Sequence, residues 1–113
     1  MISLASCKQD FVHERYLKND SSDTITVINP DFDTTFTALP GSSVMFYGFE
    51  VLDQEQTNED CKWLGDSLYI TNQDDSLCTR SPKIEDNWIF TIGGTEKERI
   101  QTCIFVVRDS DFD

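Results

Sequence analysis

The residues able to do chemistry are few and scattered. The chain of 113 residues has one histidine, His13, and four cysteines, none of them in a Cys-x-x-Cys pair. Nucleophilic catalysis needs a base within hydrogen-bond reach of a serine or cysteine. Nothing in the sequence marks a nucleophile partnered with His13, which is expected at the surface beside a flexible end. Paired carboxylates divide acid and base roles only when burial splits their pKa values. Here they fall in polar stretches such as 53–60, so no catalytic centre is expected. Gly93-Gly94 lacks the Lys-Ser/Thr and the following helix of a phosphate-binding loop and reads as a turn.

Metal chemistry has one opening. Asp109-Ser110-Asp111-Phe112-Asp113 is similar to the start of a DxDxD calcium loop, which continues with a glycine and a later bidentate glutamate. The pattern stops at Asp113. Asp109 and Asp111, with Asp31 or Asp33 from another loop, are the candidate calcium ligands. A structural zinc site is not expected, because the cysteine spacings and the distant His13 do not form a ligand set. Cys61, Cys78 and Cys103 allow one disulfide with one thiol left over, in any of three pairings. A Cys61–Cys78 bridge would close the shortest loop.

These residues need a scaffold, and the patterning predicts strands throughout. Thr24 to Ile28 is β-branched, with Ile25 and Val27 on one face, and such side chains suit a pleated surface. Residues 13–19 and 24–28, joined by Asp20-Ser21-Ser22-Asp23, read as a hairpin. Asn29-Pro30-Asp31 interrupts, Thr34 to Leu39 resumes, and Pro40-Gly41 supplies a type II turn. Ser43 to Leu52 is apolar on both faces and predicts a central strand, with Gly48 marking a bulge or a close approach. Further runs follow at 61–64, 68–71, 88–92 and 99–108, separated by turn signals at 72–75, 81–82 and 93–94. No amphipathic helix is evident. The sum is an all-β, antiparallel β-sandwich of about seven short strands, immunoglobulin-like in architecture but without the antibody Cys…Trp…Cys pattern. Phe46, Trp63, Trp88 and Phe105 are the expected core, with Leu68 and Ile70 as further anchors.

Bulk properties narrow the function. The formal net charge is −12, from 21 acidic and 9 basic residues. A field of that sign repels phosphate backbones, so nucleic acid is not an expected partner. DNA mimicry would need carboxylates in phosphate-like rows, whereas these cluster in turns. No stretch approaches the roughly 20 apolar residues of a membrane span.

One short motif gives an address. Leu4-Ala5-Ser6-Cys7, followed by Lys8-Gln9-Asp10, resembles the lipobox of bacterial lipoproteins. In that family a peptidase cuts before the cysteine, whose thiol and new amino group then carry acyl chains. The resemblance implies lipidation of Cys7 and attachment to a membrane at the bacterial cell envelope. Met1 to Ser6 carry no Lys or Arg and would be the remnant of a truncated signal peptide. The divisions that follow are residues 1–6 as signal remnant, 7–12 as tether and 13–113 as one sandwich domain. The whole is similar to small lipoproteins of the Bacteroidota. That phylum places O-glycans at Asp-Ser/Thr followed by an apolar residue or threonine, and Thr24, Thr34, Ser67 and Ser76 fit.

The expected function is a lipid-anchored, non-catalytic binding or structural accessory module with a protein or glycan partner. An exposed aromatic patch would mark the partner surface. Two alternatives remain open: a calcium-stabilised secreted or adhesive domain, and a cytosolic acidic inhibitor of a basic partner protein.

Overall fold

The computed structural model describes residues 9–54, 61 and 68–112. They form seven strands: β1 (Gln9–Asn19), β2 (Ile25–Asn29), β3 (Thr34–Ala38), β4 (Ser43–Gln54), β5 (Tyr69–Thr71), β6 (Ile89–Gly94) and β7 (Glu98–Val107). The expected seven-strand, two-sheet sandwich is present. One sheet has the order β4-β1-β7-β6, the other β3-β2-β5.

One feature departs from the expected antiparallel sandwich. β1 and β7 run parallel, so the larger sheet is mixed rather than purely antiparallel. The first, fourth, sixth and seventh strands share that sheet. An immunoglobulin constant domain instead groups its first, second, fourth and fifth strands. The likeness therefore stops at the two-sheet architecture.

β1 explains why local pattern misleads. Its buried positions alternate as a half-buried strand requires, yet they are Phe11, His13, Arg15, Leu17 and Asn19. Three polar side chains on the inner face hide the period from a hydrophobicity reading. Residues 9–12, expected as tether, are the opening of this strand, and Phe11 is buried.

The expected hairpin of 13–19 with 24–28 does not form, because β1 and β2 belong to different sheets. Asn19 makes the corner and is fully buried. Its Nδ2 donates to the Asp23 carbonyl at 2.7 Å and the Ala38 carbonyl at 2.9 Å. Its Oδ1 accepts from the Ser21 N–H at 2.9 Å and the Ser21 hydroxyl at 2.6 Å. One side chain thus folds residues 20–24 across the sandwich and ties them to the end of β3.

The chain returns to the larger sheet at Leu39-Pro40-Gly41-Ser42. Here Gly41 has φ of +82° and the Ser42 N–H donates to the Leu39 carbonyl at 3.0 Å, as the type II reading expects. β4 then runs along an edge of its sheet, not the centre. Its apolar outward residues Met45 and Leu52 are exposed, so two apolar faces did not signal burial on both sides. Gly48 sits at a close approach: a Cβ there would meet the His13 carbonyl oxygen at 3.3 Å.

Between the sheets lie Leu17, Ile25, Val27, Ala38, Phe46, Leu68, Ile70, Trp88, Phe105 and Val107. Trp88 meets Phe105 edge-on at 5.2 Å, and its indole N–H donates to the Pro82 carbonyl at 2.8 Å. That bond satisfies the one polar atom of a large buried ring.

Candidate functional site

β3 and β4 each form one edge of their sheets, and they are consecutive across the Pro40-Gly41 corner. An open groove of about 460 Å³ lies along them, lined by Phe32, Thr34, Phe36, Phe46, Tyr47, Gly48 and Phe49. Five of its seven residues are aromatic.

Each ring is held by a local feature. Phe32 stands on the turn between β2 and β3 and is 57% exposed, an unusual position for a large apolar ring. The buried Asn29 shapes that turn: its Oδ1 accepts from the Asp31 N–H at 3.2 Å, and its carbonyl from the Phe32 N–H at 3.4 Å. Asp33 closes it with φ of +51°, a left-handed conformation that aspartate tolerates better than most residues. Phe32 thereby comes to 5.4 Å from the Tyr47 ring, and Tyr47 to 5.6 Å from Phe49.

The β1–β4 register brings support from behind. His13 is opposite Phe49 and Arg15 opposite Tyr47. The His13 ring stacks on Phe49 at 4.4 Å with an interplanar angle of 14°. His13 is therefore buried, not the surface residue expected from sequence. The Arg15 guanidinium, also buried, lies 6.0 Å from both the Tyr47 and the Trp88 ring centroids, and its Nε donates to the Cys61 carbonyl at 3.2 Å. A desolvated cation over two ring faces fixes their position. The bulge between Arg15 and Tyr16 places both Phe46 and Tyr47 in the groove lining.

The lining is mainly aromatic. Thr34 and Tyr47 are the side chains in the lining that carry a hydroxyl, and none is charged.

Comparison of the chain with protein-family models, curated proteins and solved structures found no match.

The residues singled out from sequence lie elsewhere. Cys61 and Cys103 form a disulfide with Cα atoms 5.5 Å apart, so the shortest-loop pairing with Cys78 is not the one made. Cys78 keeps a free, half-buried thiol, which burial pushes above its ordinary pKa. Asp109 and Asp111 serve the fold. The Asp109 carboxylate accepts from the Ser22 N–H at 2.8 Å and the Ser22 hydroxyl at 2.9 Å, which holds its pKa down. Asp111 accepts from Arg80 Nε at 2.9 Å and from the Arg108 N–H at 2.9 Å. Burial pushes its carboxyl up, but the Arg80 and Arg108 donors and charges outweigh that and hold it below the usual range. Among the described residues no group of three or more His, Cys, Asp or Glu side chains is arranged to hold a metal ion, so Asp31, Asp109 and Asp111 are not brought together as a ligand set.

Of the glycan candidates, Thr24 precedes β2 with its N–H donating to Gln73 Oε1 at 3.1 Å. Thr34 opens β3 inside the aromatic groove, and Ser76 is half-buried in the turn 72–76. Cys7, Trp63 and Ser67 lie outside the described residues. Phe32 and Phe36 carried no expectation from sequence. The signal available was the density of rings between 32 and 49.

Proposed function

We propose that this chain is a non-catalytic binding module, presented at the bacterial cell envelope by a lipid on Cys7, which meets its partner through the aromatic groove between β3 and β4. The groove carries the reading. An exposed Phe32, placed by the Asn29 turn, lies 5.4 Å from Tyr47, and Arg15 and His13 back Tyr47 and Phe49 in turn. Rigid aromatic rings in a preformed depression are what interfaces use as anchors. The Cys61–Cys103 disulfide supports an oxidising compartment and so favours the envelope over the cytosol. With β1 starting at Gln9, an acyl group on Cys7 would hold the domain close to the membrane surface.

Two measurements test this. Intact mass of the protein made from its native locus is expected to show cleavage before Cys7 plus acyl chains, lost in Cys7→Ser. An unmodified chain starting at Met1 refutes the anchor. Titration with glycan and peptide panels is expected to shift the aromatic resonances of Phe32, Tyr47 and Phe49. Binding that maps to other residues refutes the groove.

A second reading, an acidic inhibitor of a basic partner protein, draws on the charge distribution: from Asn19 to Cys61 there is no Lys or Arg. It keeps the groove and changes the address.

A further inference from the structure

We infer that β6 is the surface through which this chain meets a second copy of itself: the two β6 strands pair antiparallel and join the larger sheets of both copies. The inference stands apart from the aromatic groove, which follows β4 at the opposite edge of that sheet.

β6 ends its sheet, with β7 its one strand neighbour among the described residues. All six of its residues are exposed. The register with β7 sorts them by face. Ile89, Thr91 and Gly93 lie beside Ile104, Thr102 and Ile100 on the outer face, while Phe90 and Ile92 lie beside the buried Cys103 and Gln101 on the inner one. The smaller sheet packs on that inner face, yet Phe90 stays 42% and Ile92 44% exposed, so β6 reaches past its cover. The chain enters β6 from a 3-10 turn at Glu85–Asn87 and leaves by a turn in which the Thr95 N–H donates to the Glu98 carbonyl at 2.7 Å.

A bare sheet edge is a template for another strand, and edges that avoid pairing carry Lys, Pro, an inward charge or a bulge. The sequence of β6, Ile-Phe-Thr-Ile-Gly-Gly, has no charge and no proline, and it pairs with β7 residue for residue without a bulge.

Two features select a second copy as the occupant. One is self-complementarity. With Thr91 opposite Thr91 of the second copy, Phe90 of each copy faces Ile92 of the other, and Ile89 faces Gly93. Directly opposite residues share a face, so this register also keeps both smaller sheets on one side. Aromatic with β-branched residues, and Thr with Thr, are favourable cross-strand pairs. The space beside Gly93 is open, since a Cβ there would meet nothing within 4 Å. The rings and branched chains that the smaller sheet leaves uncovered are thereby covered by each other.

The other feature is charge. In residues 80–99, Arg80, Lys83, Lys97 and Arg99 balance Glu85, Asp86, Glu96 and Glu98, so the chain's net charge of −12 falls entirely on the rest. Two such copies repel, and a neutral segment is where they approach with least repulsion. Antiparallel pairing also sets Lys97, past the end of one β6, toward Asp86, before the start of the other, and both are exposed.

Sedimentation equilibrium of the disulfide-intact chain in about 0.15 M salt, where repulsion is screened beyond about 8 Å, is expected to show a monomer–dimer equilibrium. Thr91→Lys and Thr91→Glu change an exposed side chain and should leave the urea midpoint close to that of the parent. Each sets two like charges face to face and should weaken dimerisation at least about tenfold. An equimolar mixture of the two should recover the parent affinity, because Lys then faces Glu. Cross-linking fixes the register. Opposed residues have Cα atoms about 4.5–5.5 Å apart, within reach of a disulfide. With Cys7 and Cys78 replaced by serine, Thr91→Cys should oxidise in air to a covalent dimer, whereas Ile89→Cys, which faces Gly93 and not itself, should not. A chain that stays monomeric up to about 1 mM overturns the inference. So does a dimer that Thr91→Lys and Thr91→Glu leave intact, or one that cross-links through Ile89→Cys and not through Thr91→Cys.

Discussion

Asn19 is the side chain on which the crossing from one sheet to the other depends, and removing it gives a sharp test. In Asn19→Ala four hydrogen bonds disappear at a site with no solvent exposure. Each such bond is worth about 1 kcal/mol net. The Asp23 carbonyl keeps the Ser21 hydroxyl as a donor at 3.1 Å, which softens one of the four losses. The expected cost is therefore about 3 kcal/mol, a large share of the roughly 5–15 kcal/mol that holds a domain folded. In urea, with the disulfide intact, the midpoint should fall by about 1–3 M at unchanged slope. Asn19→Asp separates hydrogen bonding from packing. It keeps both acceptor bonds but turns the donor nitrogen into an oxygen facing two carbonyls, so the folded state should favour the protonated acid. A raised folded pKa makes its penalty largest at neutral pH and smaller as pH falls through that value. A loss below about 1 kcal/mol in Asn19→Ala would refute the corner assignment. So would an Asn19→Asp protein whose deficit relative to the parent is the same at pH 4 as at pH 7.

Opening the Cys61–Cys103 bridge with a double serine substitution frees a loop closed over a sequence separation of 42 and should cost about 4 kcal/mol by chain entropy, read as a lower thermal midpoint than the oxidised parent. Asp111→Asn should cost about 1–3 kcal/mol at pH 7 through the weakened Arg80 and Arg108 contacts. Because the folded Asp111 pKa is lowered, the parent holds this stability above about pH 4 and loses it as pH falls further. Urea midpoints across that range should therefore drop less steeply in the variant, and parallel acid limbs would contradict the assignment. Gly94→Ala should destabilise by about 1–3 kcal/mol in the same assay. Gly94 has φ of +90° and an added Cβ would lie 2.3 Å from the Glu98 carbonyl oxygen, so a neutral outcome would show that the β6–β7 turn relaxes.

The fold class and most of the strands are legible in the sequence. β-branched runs, Pro40-Gly41 and the turn clusters at 72–75 and 81–82 act through local backbone preferences, and these need no knowledge of what lies across the core. Phe46, Trp88 and Phe105 were legible as core for the same reason: large rings inside strand-forming segments are usually buried. Which strands neighbour which is set by packing across the core. The inner face of β1 is written in His13, Arg15 and Asn19, whose burial is tolerable only because other elements supply ring faces and carbonyls. Satisfying a buried polar group takes partners distant in sequence, and no local pattern announces them. The cysteine pairing was open for a similar reason, since loop length favours a near partner while the fold brings Cys61 to β7. The groove itself belongs to the sandwich, not to any strand. Phe32, Phe36 and Tyr47 read as ordinary apolar positions until a corner at Pro40-Gly41 sets two edge strands side by side, with Phe32 exposed and Phe36 and Tyr47 half-buried along them.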